Sequence, residues 1–190
     1  MASPLTRGLF TRVIAESGAV VGLGTSVSLR AAEEDGLRLA STLRGSSEAS
    51  LDDLRRVSAA QVLAGQSPRD TNADLRNLDI VVDGYAFPEA PARVFAAGRQ
   101  HRVGLVIGSN SREQVPNRSL STDLRQTIQQ TYGPLAARGL ALYGLTASEP
   151  PMSDPLYGSP AEQWGTDTTF RCGAVAQLVW HASSGNPAYQ

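Results

Sequence analysis

The chain has 190 residues, of which 41% are hydrophobic and 18% charged, an ordinary composition for a globular protein able to bury one sizeable core. Its formal net charge is -1 and no basic run is interleaved with aromatic residues, so nucleic acid is not an expected partner. One cysteine allows no intrachain disulfide. No run approaches the roughly 20 apolar residues of a membrane span, so we expect a soluble protein. Its compartment, cytoplasmic or secreted, stays open.

The first part of the chain carries one strand signal and two helix signals. Thr11–Ser17 is rich in branched residues and runs into a glycine, which predicts a short buried strand entering a turn. Residues 30–44 place leucines four apart behind an acidic start, and Gly45 follows, which predicts an amphipathic helix with a glycine stop. Ser50, three residues before Asp53, resembles a capping box and predicts a second, short helix.

The middle of the chain alternates strand and helix. Gly65–Asn77 is polar and predicts a surface loop, whereas residues 79–108 run as strand, turn, short helix and strand. Such alternation predicts an α/β architecture. Ser121–Leu142 has helical spacing interrupted at Gly133 and Pro134.

The last part contains the strongest helix signal. Ser159, Pro160 and Glu162 occupy the cap, first and third helical positions, and Gly185 follows the predicted end. The predicted apolar face of this helix consists of Phe170, Ala174 and Leu178. The final residues, NPAYQ, indicate the start of another strand.

The strands near Thr11–Ser17 and Val103–Gly108 are apolar on both faces, as in a mostly parallel sheet covered by flanking helices. The chain supplies few other strands to pair with them. We therefore expect an incomplete sheet whose exposed edge favours aggregation.

Glu113 is the first candidate for chemistry, because it follows an apolar strand and a small polar turn in VGLVIGSNSREQ. Open α/β sheets place catalytic groups at this end of their strands, although a single Glu there is more often a solvated loop residue. His101 and His181 are isolated, and such residues are more often surface or half-buried side chains than general bases. Neither H-E-x-x-H metal spacing nor a glycine-rich phosphate loop occurs, so we expect no metal and no nucleotide cofactor.

Nucleophile signals are weak. The nearest approach to a G-x-S-x-G elbow is GQSPR at Gly65–Arg69, in a polar stretch with no strand before it. Cys172 lies within the last predicted helix, where we expect burial as a small apolar group. The residues alone therefore provide no complete catalytic set.

Several stretches nevertheless resemble the type B carboxylesterase family of α/β hydrolases, which includes cholinesterases. SPLTRGLFTRVIAESGAV, Ser3–Val20, is similar to the family's S-P-x-x-x-G-L-F-x-x-A-I-x-Q-S-G segment. Val81–Glu113 resembles its V-x-D-G-x-x-x-P stretch, F-x-x-G helix and G-x-N-x-D-E-G turn, and FRCGA, Phe170–Ala174, its F-x-C-P-A helix. The three motifs stand in the family's order.

The resemblance implies roles for two residues. The Glu of the D-E-G turn is the acid of a Ser-Glu-His triad, and Glu113 has that position. It would accept a hydrogen bond from the catalytic His, fix its tautomer and stay ionised. The Ser of the Q-S-G turn lies near that acid, so Ser17 is either a residue that supports Glu113 or simply a turn residue.

This sequence also departs from the family pattern. Arg112 and Gln114 replace the Asp and Gly on either side of the acid, and Glu16 replaces the usual Gln. Arg112 is predicted to alter the field at the carboxylate, and Gln114 to strain a backbone that needs positive φ.

The triad order in this fold is Ser, acid, His, and by the resemblance the Ser elbow and the oxyanion loop lie before this chain and the His beyond it. We therefore expect residues 1–190 to be one partial domain, the central portion of a serine carboxylesterase that hydrolyses small ester substrates without a cofactor. The chain alone is predicted to be inactive. Two alternatives stay open: a non-catalytic cholinesterase-like binding module, and an independently folded small protein descended from an esterase.

Overall fold

The computed structural model describes residues 1–22, 26–45, 48–65, 80–113, 123–149 and 152–190. The strands in these ranges are β1 (Arg12–Glu16), β2 (Ser26–Ser28), β3 (Ile80–Val82), β4 (Gly104–Gly108) and β5 (Ala188–Tyr189). The helices are α1 (Leu29–Arg44), α2 (Leu51–Arg55), α3 (Ala59–Gly65), α4 (Pro91–Ala96), α5 (Leu124–Tyr132), α6 (Ala136–Leu142), α7 (Pro160–Thr166) and α8 (Cys172–Ser183). Short 3-10 turns occupy Pro4–Thr6 and Gly133–Leu135, and a π turn, Asp167–Arg171, joins α7 to α8.

The chain divides into two compact units. Unit 1 comprises Met1–Thr11 and Gly24–Arg102, and unit 2 comprises Arg12–Leu23 and Val103–Gln190. Among the described residues every pairing of these strands is parallel, in the order β2-β3 in unit 1 and β1-β4-β5 in unit 2. The predicted α/β architecture with mostly parallel strands is therefore confirmed.

Local capping signals set the starts of helices α1 and α2 in unit 1. The Ser28 hydroxyl accepts a hydrogen bond from the backbone N–H of Ala31 at the start of α1, and Gly45 ends the helix at φ 74°. Only a residue that tolerates a left-handed conformation ends a helix in this way without strain. The capping box predicted from Ser50 and Asp53 forms at the start of α2. Both helix predictions are confirmed.

The sheet of unit 2 has one covered face and one open face. Leu105 and Ile107 of β4 are 0% and 1% exposed, and α8 contacts β4 on this side. On the other side Ile14, Val106 and Tyr189 pair in register across the three strands and are 71%, 43% and 62% exposed. We call these three residues the open apolar row.

The prediction of a buried strand over Thr11–Ser17 is therefore wrong in one respect. The strand exists as β1, but its burial alternates between exposed and half-buried positions. No element in the described part of the chain covers the open apolar row, and none pairs with the outer edge of β1. The strand signal came from branched residues, which report β propensity and not the presence of a second layer.

A second core in unit 2 lies between α5, α6 and the residues after them. Ile128, Tyr143 and Leu145 are buried there, and the half-buried side chains packed on them are Leu124, Tyr132, Leu140 and Trp164. The predicted break at Gly133 and Pro134 is confirmed, since the 3-10 turn separates the two helices. Residues 121–122 and most of the predicted surface loop, residues 66–77, lie outside the described ranges.

The C-terminal helix begins as predicted but continues differently. The capping box of Ser159 and Glu162 is present, and β5 follows the helix as expected from NPAYQ. The predicted apolar face is confirmed only at Ala174, which is buried, because Phe170 and Leu178 are half-buried. The π turn changes the helical register before α8, whose buried residues are Gly173, Ala174, Gln177 and His181.

Among the described residues, no helix is both long and apolar enough to cross a membrane.

Candidate active site

Glu113 ends a turn that leaves the carboxyl end of β4, residues Ser109–Glu113, which we call the acid turn. Its side chain folds back on the turn, and Glu113 Oε1 accepts hydrogen bonds from Asn110 N at 2.9 Å and Asn110 Nδ2 at 3.2 Å. The carboxylate is half-buried. A local contact between residues three apart thus presents the acid at the end of the sheet where α/β proteins place functional groups.

Ser17 reaches the same carboxylate from the neighbouring strand. Because β1 and β4 run parallel with Glu16 opposite Gly108, the residues that follow both strands lie at one edge of the sheet. Ser17 N donates to Gly108 O at 2.8 Å, and Ser17 Oγ donates to Glu113 Oε1. Ser17 is also a turn residue, with a φ of 51° that side chains other than glycine seldom adopt.

These contacts stabilise the charged form of the acid. The hydrogen bond from Ser17 is the largest cause that holds the pKa of Glu113 below its ordinary value, and the backbone and side chain of Asn110 act in the same direction. Partial burial opposes them. Glu113 is therefore ionised at neutral pH.

The acid turn is fastened to the helical segment that begins with α7. Arg171 Nη2 donates to Ser111 O at 2.9 Å, Arg112 forms an ion pair with Glu162, and Glu113 N donates to Thr166 Oγ1 at 3.2 Å. Thr166 is 0% exposed. Three consecutive residues of the turn thus contact one helical segment, and the charge of Arg112 is paired with Glu162.

The two carboxylate oxygens of Glu113 differ in their surroundings. The hydrogen bonds from Ser17 and Asn110 all converge on Oε1, and within the described residues no donor binds Oε2. A carboxylate held through one oxygen can accept a further hydrogen bond through the other. An N–H donor such as that of an imidazole is chemically suited to this second oxygen.

An open cavity of about 370 Å³ lies at the carboxyl ends of β1 and β4. Ser17, Ser109, Asn110 and Gln190 are among the residues that line it. The acid turn therefore borders a space large enough for the side chains of another segment or for a small ligand.

The histidines do not join this site. His181 is 0% exposed and its Nε2 lies 2.8 Å from Val103 O, at the amino end of β4, whereas the acid turn follows the opposite end. The expectation of a surface or half-buried His181 is wrong, because its ring satisfies a buried backbone carbonyl. In unit 1, His101 is half-buried and stacks on Phe10, and burial is the main cause that lowers its pKa.

Other sequence predictions have mixed outcomes. Cys172 is exposed, so its predicted burial is wrong; it lies on the side of α8 away from the buried positions. The near-elbow GQSPR falls outside the described residues except for the backbone of Gly65, and Gln114 lies outside them as well. Among the described residues, no cluster of three or more His, Cys, Asp or Glu side chains has a metal-binding arrangement.

Three residues that form hydrogen bonds with Glu113 or Ser111 were not predicted from the sequence. Asn110 lies within the G-x-N-x-D-E-G resemblance, which offers a local signal for its contact with Glu113. Thr166 and Arg171 are more than 50 positions from the turn, as their bonds to Glu113 and Ser111 span 53 and 60 residues. No periodicity or cap signal links residues at that separation.

Comparison with known proteins gives one family and a set of similar folds. The model of the Carboxylesterase family matches residues 1–138. The carboxylesterase EST55 of Geobacillus stearothermophilus at pH 6.2 aligns with a TM-score of 0.68 and 19% identity, over 99% of this chain and 39% of that chain. A structure described as a PNB esterase aligns with a TM-score of 0.62 and 25% identity, over 98% of this chain and 37% of that chain. No curated protein sequence matches significantly.

Proposed function

Because this chain belongs to the carboxylesterase family, we propose that it is the part of a serine carboxylesterase that carries the triad acid, and that Glu113 is that acid. The predicted family and the predicted incomplete α/β-hydrolase fold are confirmed, and the chain spans 39% and 37% of the solved esterase chains. The activity of the longer protein, its substrates and the single-domain character of residues 1–190 are part of the proposal.

The observation that carries the proposal is that several hydrogen bonds converge on one carboxylate oxygen, Glu113 Oε1. Ser17 and Asn110 bind this oxygen and stabilise the carboxylate, while Oε2 accepts no hydrogen bond from the described residues. The motif position of Glu113, in the acid turn that follows β4, agrees with the resemblance to the D-E-G turn.

In the proposed mechanism, Glu113 Oε2 accepts a hydrogen bond from Nδ1–H of a histidine in the remainder of the protein. The other imidazole nitrogen takes the proton of a serine hydroxyl, whose oxygen attacks the ester carbonyl. The alkoxide leaves with that proton, and water then releases the acid from the acyl-enzyme. Glu113 stays ionised throughout and stabilises the imidazolium, and side chains and water suffice for the reaction.

Ser17 and Asn110 support the acid in this mechanism without touching the substrate. Their hydrogen bonds fix the carboxylate plane and keep the proton on the imidazole rather than on Glu113, because they lower the carboxyl pKa. The isolated chain has no nucleophile elbow and is therefore expected to hydrolyse p-nitrophenyl acetate no faster than a protein blank.

The test is a substitution in the longer protein. The coding sequence on both sides of this chain would be recovered and translated, and the whole reading frame expressed as wild type, Glu113→Gln and Glu16→Gln. We expect Glu113→Gln to lower kcat for p-nitrophenyl acetate by about a thousandfold or more, because an amide cannot stabilise the imidazolium.

Glu16→Gln is the matched control, since Glu16 is an exposed carboxylate on β1 and the family has Gln at this position. Its activity should stay within about twofold of wild type. Full activity of Glu113→Gln would refute the role of Glu113.

The second candidate function is a non-catalytic binding module of the same fold. Arg112 favours this candidate, because the family has Asp beside the acid, whereas here the residue is a base. Its side chain forms an ion pair with Glu162. An upstream elbow without its serine, together with no turnover by the whole reading frame, would support the binding module over the esterase.

A further inference from the structure

Arg171, in the π turn, has a guanidinium group that joins three parts of unit 2. Its Nη1 donates to Asp167 Oδ1, and its Nη2 donates to Ser111 O at 2.9 Å. The group also lies 5.4 Å from the ring centre of Tyr157. Only a planar side chain with several donors makes such contacts at once.

Asp167 is itself fixed from its other oxygen. The Tyr143 hydroxyl donates to Asp167 Oδ2 at 3.0 Å, and Tyr143 is part of the core between α5 and α6. Burial raises the pKa of Tyr143 above its ordinary value, so the hydroxyl keeps its proton and remains a donor. The chain of contacts runs from the core through Tyr143, Asp167 and Arg171 to Ser111 O.

This ion pair is shielded, unlike others in the molecule. The side chains of Arg171 and Asp167 are 29% and 16% exposed, whereas those of the Arg55–Asp52 pair on α2 are 74% and 71% exposed. Exposed pairs contribute little to structure because water and salt screen them. Arg171 and Asp167 are therefore able to hold a neighbouring backbone segment in place.

Ser111 is two residues from Glu113, and its carbonyl is held where the acid turn changes direction. Asn110 and Glu113 belong to the acid turn, whereas Ser17 follows the neighbouring strand β1. A displacement of Ser111 would therefore change the distances from Glu113 Oε1 to Asn110 and Ser17.

We propose that Arg171 is a positioning residue, which holds the acid turn through Ser111 O and thereby sets the place of the Glu113 carboxylate. For its catalytic meaning the inference rests on the proposed function. Arg171 does not touch substrate or the reacting atoms, and it acts only through the backbone of the turn.

The test measures the pKa of the Glu113 carboxyl in this 190-residue chain by carbon NMR, in wild type, Arg171→Lys and Asp167→Asn. Lysine keeps the positive charge but lacks the fork that binds Asp167 and Ser111 together. Asparagine weakens the grip on Arg171 and removes a negative charge. If Arg171 positions the turn, both variants should raise the measured pKa of Glu113 by about 0.5, because the bonds from Ser17 and Asn110 loosen.

Asp167→Asn separates positioning from a simple field effect. Loss of a nearby negative charge alone would lower the pKa of Glu113, the opposite sign to the expected change. Arg55→Lys and Asp52→Asn are the matched controls, and they should leave the Glu113 pKa unchanged. An unchanged pKa in Arg171→Lys, or a lowered one in Asp167→Asn, would refute the proposal. Should Asp167→Asn not fold, Arg171→Lys alone decides.

The pKa of Glu113 is measured without any catalytic activity. The proposal for Arg171 and the proposed function of Glu113 can therefore be refuted independently of each other. A raised Glu113 pKa in both variants, with full activity of Glu113→Gln in the longer protein, would leave Arg171 as the holder of a carboxylate that has no catalytic role. An unchanged Glu113 pKa, with loss of activity in Glu113→Gln, would keep the triad acid and reject Arg171 as its positioning residue.

Discussion

Ser17 combines an unfavourable backbone conformation with a favourable side-chain contact. At φ 51° its Cβ is crowded, a conformation that costs about 1–2 kcal/mol for residues other than glycine. Its hydroxyl donates to Glu113 Oε1. Glycine would be the better residue if the position served only as a turn, so the two readings of Ser17 make different predictions.

The comparison is between Ser17→Ala and Ser17→Gly. Both remove the hydroxyl, and both should raise the pKa of Glu113 towards its ordinary value, because the bond from Ser17 is its largest cause of lowering. The Gly variant should be more stable than the Ala variant by about 1 kcal/mol, since it also relieves the backbone. Carboxyl NMR titration and urea unfolding measure the two effects. A Glu113 pKa unaffected by either change would leave Ser17 as a turn residue.

The pH dependence has a definite sign. A carboxyl whose pKa is lower in the folded than in the unfolded chain stabilises the fold above its ordinary pKa, and this contribution is lost as the pH falls through the lowered value. The stability difference between wild type and Ser17→Ala, which both keep the backbone strain, should therefore shrink as the pH falls below about 4.

At the scale of elements, Gly173 determines how closely the chain after β1 packs on α8. A Cβ built on Gly173 would lie 2.0 Å from Val21 O and 2.9 Å from the Val21 carbonyl carbon. Nearby, Val20 N donates to Gln177 Oε1 at 2.8 Å. The backbone of the segment that follows Ser17 therefore packs directly on the helix. A side chain larger than that of glycine at position 173 would prevent this contact.

We expect Gly173→Ala to destabilise the protein by about 1–3 kcal/mol, because backbone atoms must move to admit the methyl group. Gly36→Ala is the control, since Gly36 lies inside α1 and a Cβ there meets no atom within 4 Å. That change should stabilise by about 0.5–1 kcal/mol through helix propensity. Denaturant unfolding followed by far-ultraviolet circular dichroism measures both. Equal effects of the two substitutions would contradict the close packing.

Elements whose signals are local were predictable from the sequence. Ser50 and Ser159 each bind groups three residues away, so the letters alone identify the starts of α2 and α7. The position of Glu113 after a strand was predictable for the same reason, and the family motif added its implied role.

Features that depend on distant residues were not predictable. The π turn has no local signature here, and the buried stripe of the helix after it includes the polar residues Gln177 and His181 in place of the predicted Leu178. Those polar residues are buried because partners from other segments, Val20 N and Val103 O, meet them. The contacts of Arg171 belong to the same group.

At the scale of the whole molecule, the open apolar row is an interaction hazard. Ile14, Val106 and Tyr189 expose apolar side chains on one face of a sheet whose outer strand, β1, has an unpaired edge among the described residues. Exposed strand edges with apolar side chains template association between chains. Self-association of the isolated chain should follow from this face.

Ile14→Lys tests this expectation, because a charge on an edge strand opposes pairing with another chain. It should reduce aggregation of the chain, measured by light scattering at increasing protein concentration. Leu63→Lys is the matched control, since Leu63 is 72% exposed on helix α3 and Ile14 is 71% exposed. A similar reduction by both would indicate that general surface hydrophobicity, not the strand edge, drives association.

The π turn also has a consequence for how this segment tolerates change. One residue more than an α-helical turn rotates everything after it by about 100° around the helix axis. In an uninterrupted helix Thr166 and Gly173, seven positions apart, would share a face. Here one reaches the acid turn and the other the chain after β1. A single-residue deletion within the π turn would restore a regular helix and leave Gln177 and His181 facing their backbone partners, whereas a deletion within α8 before Gln177 would turn both away. The π turn is therefore the point at which this segment tolerates the loss of one residue.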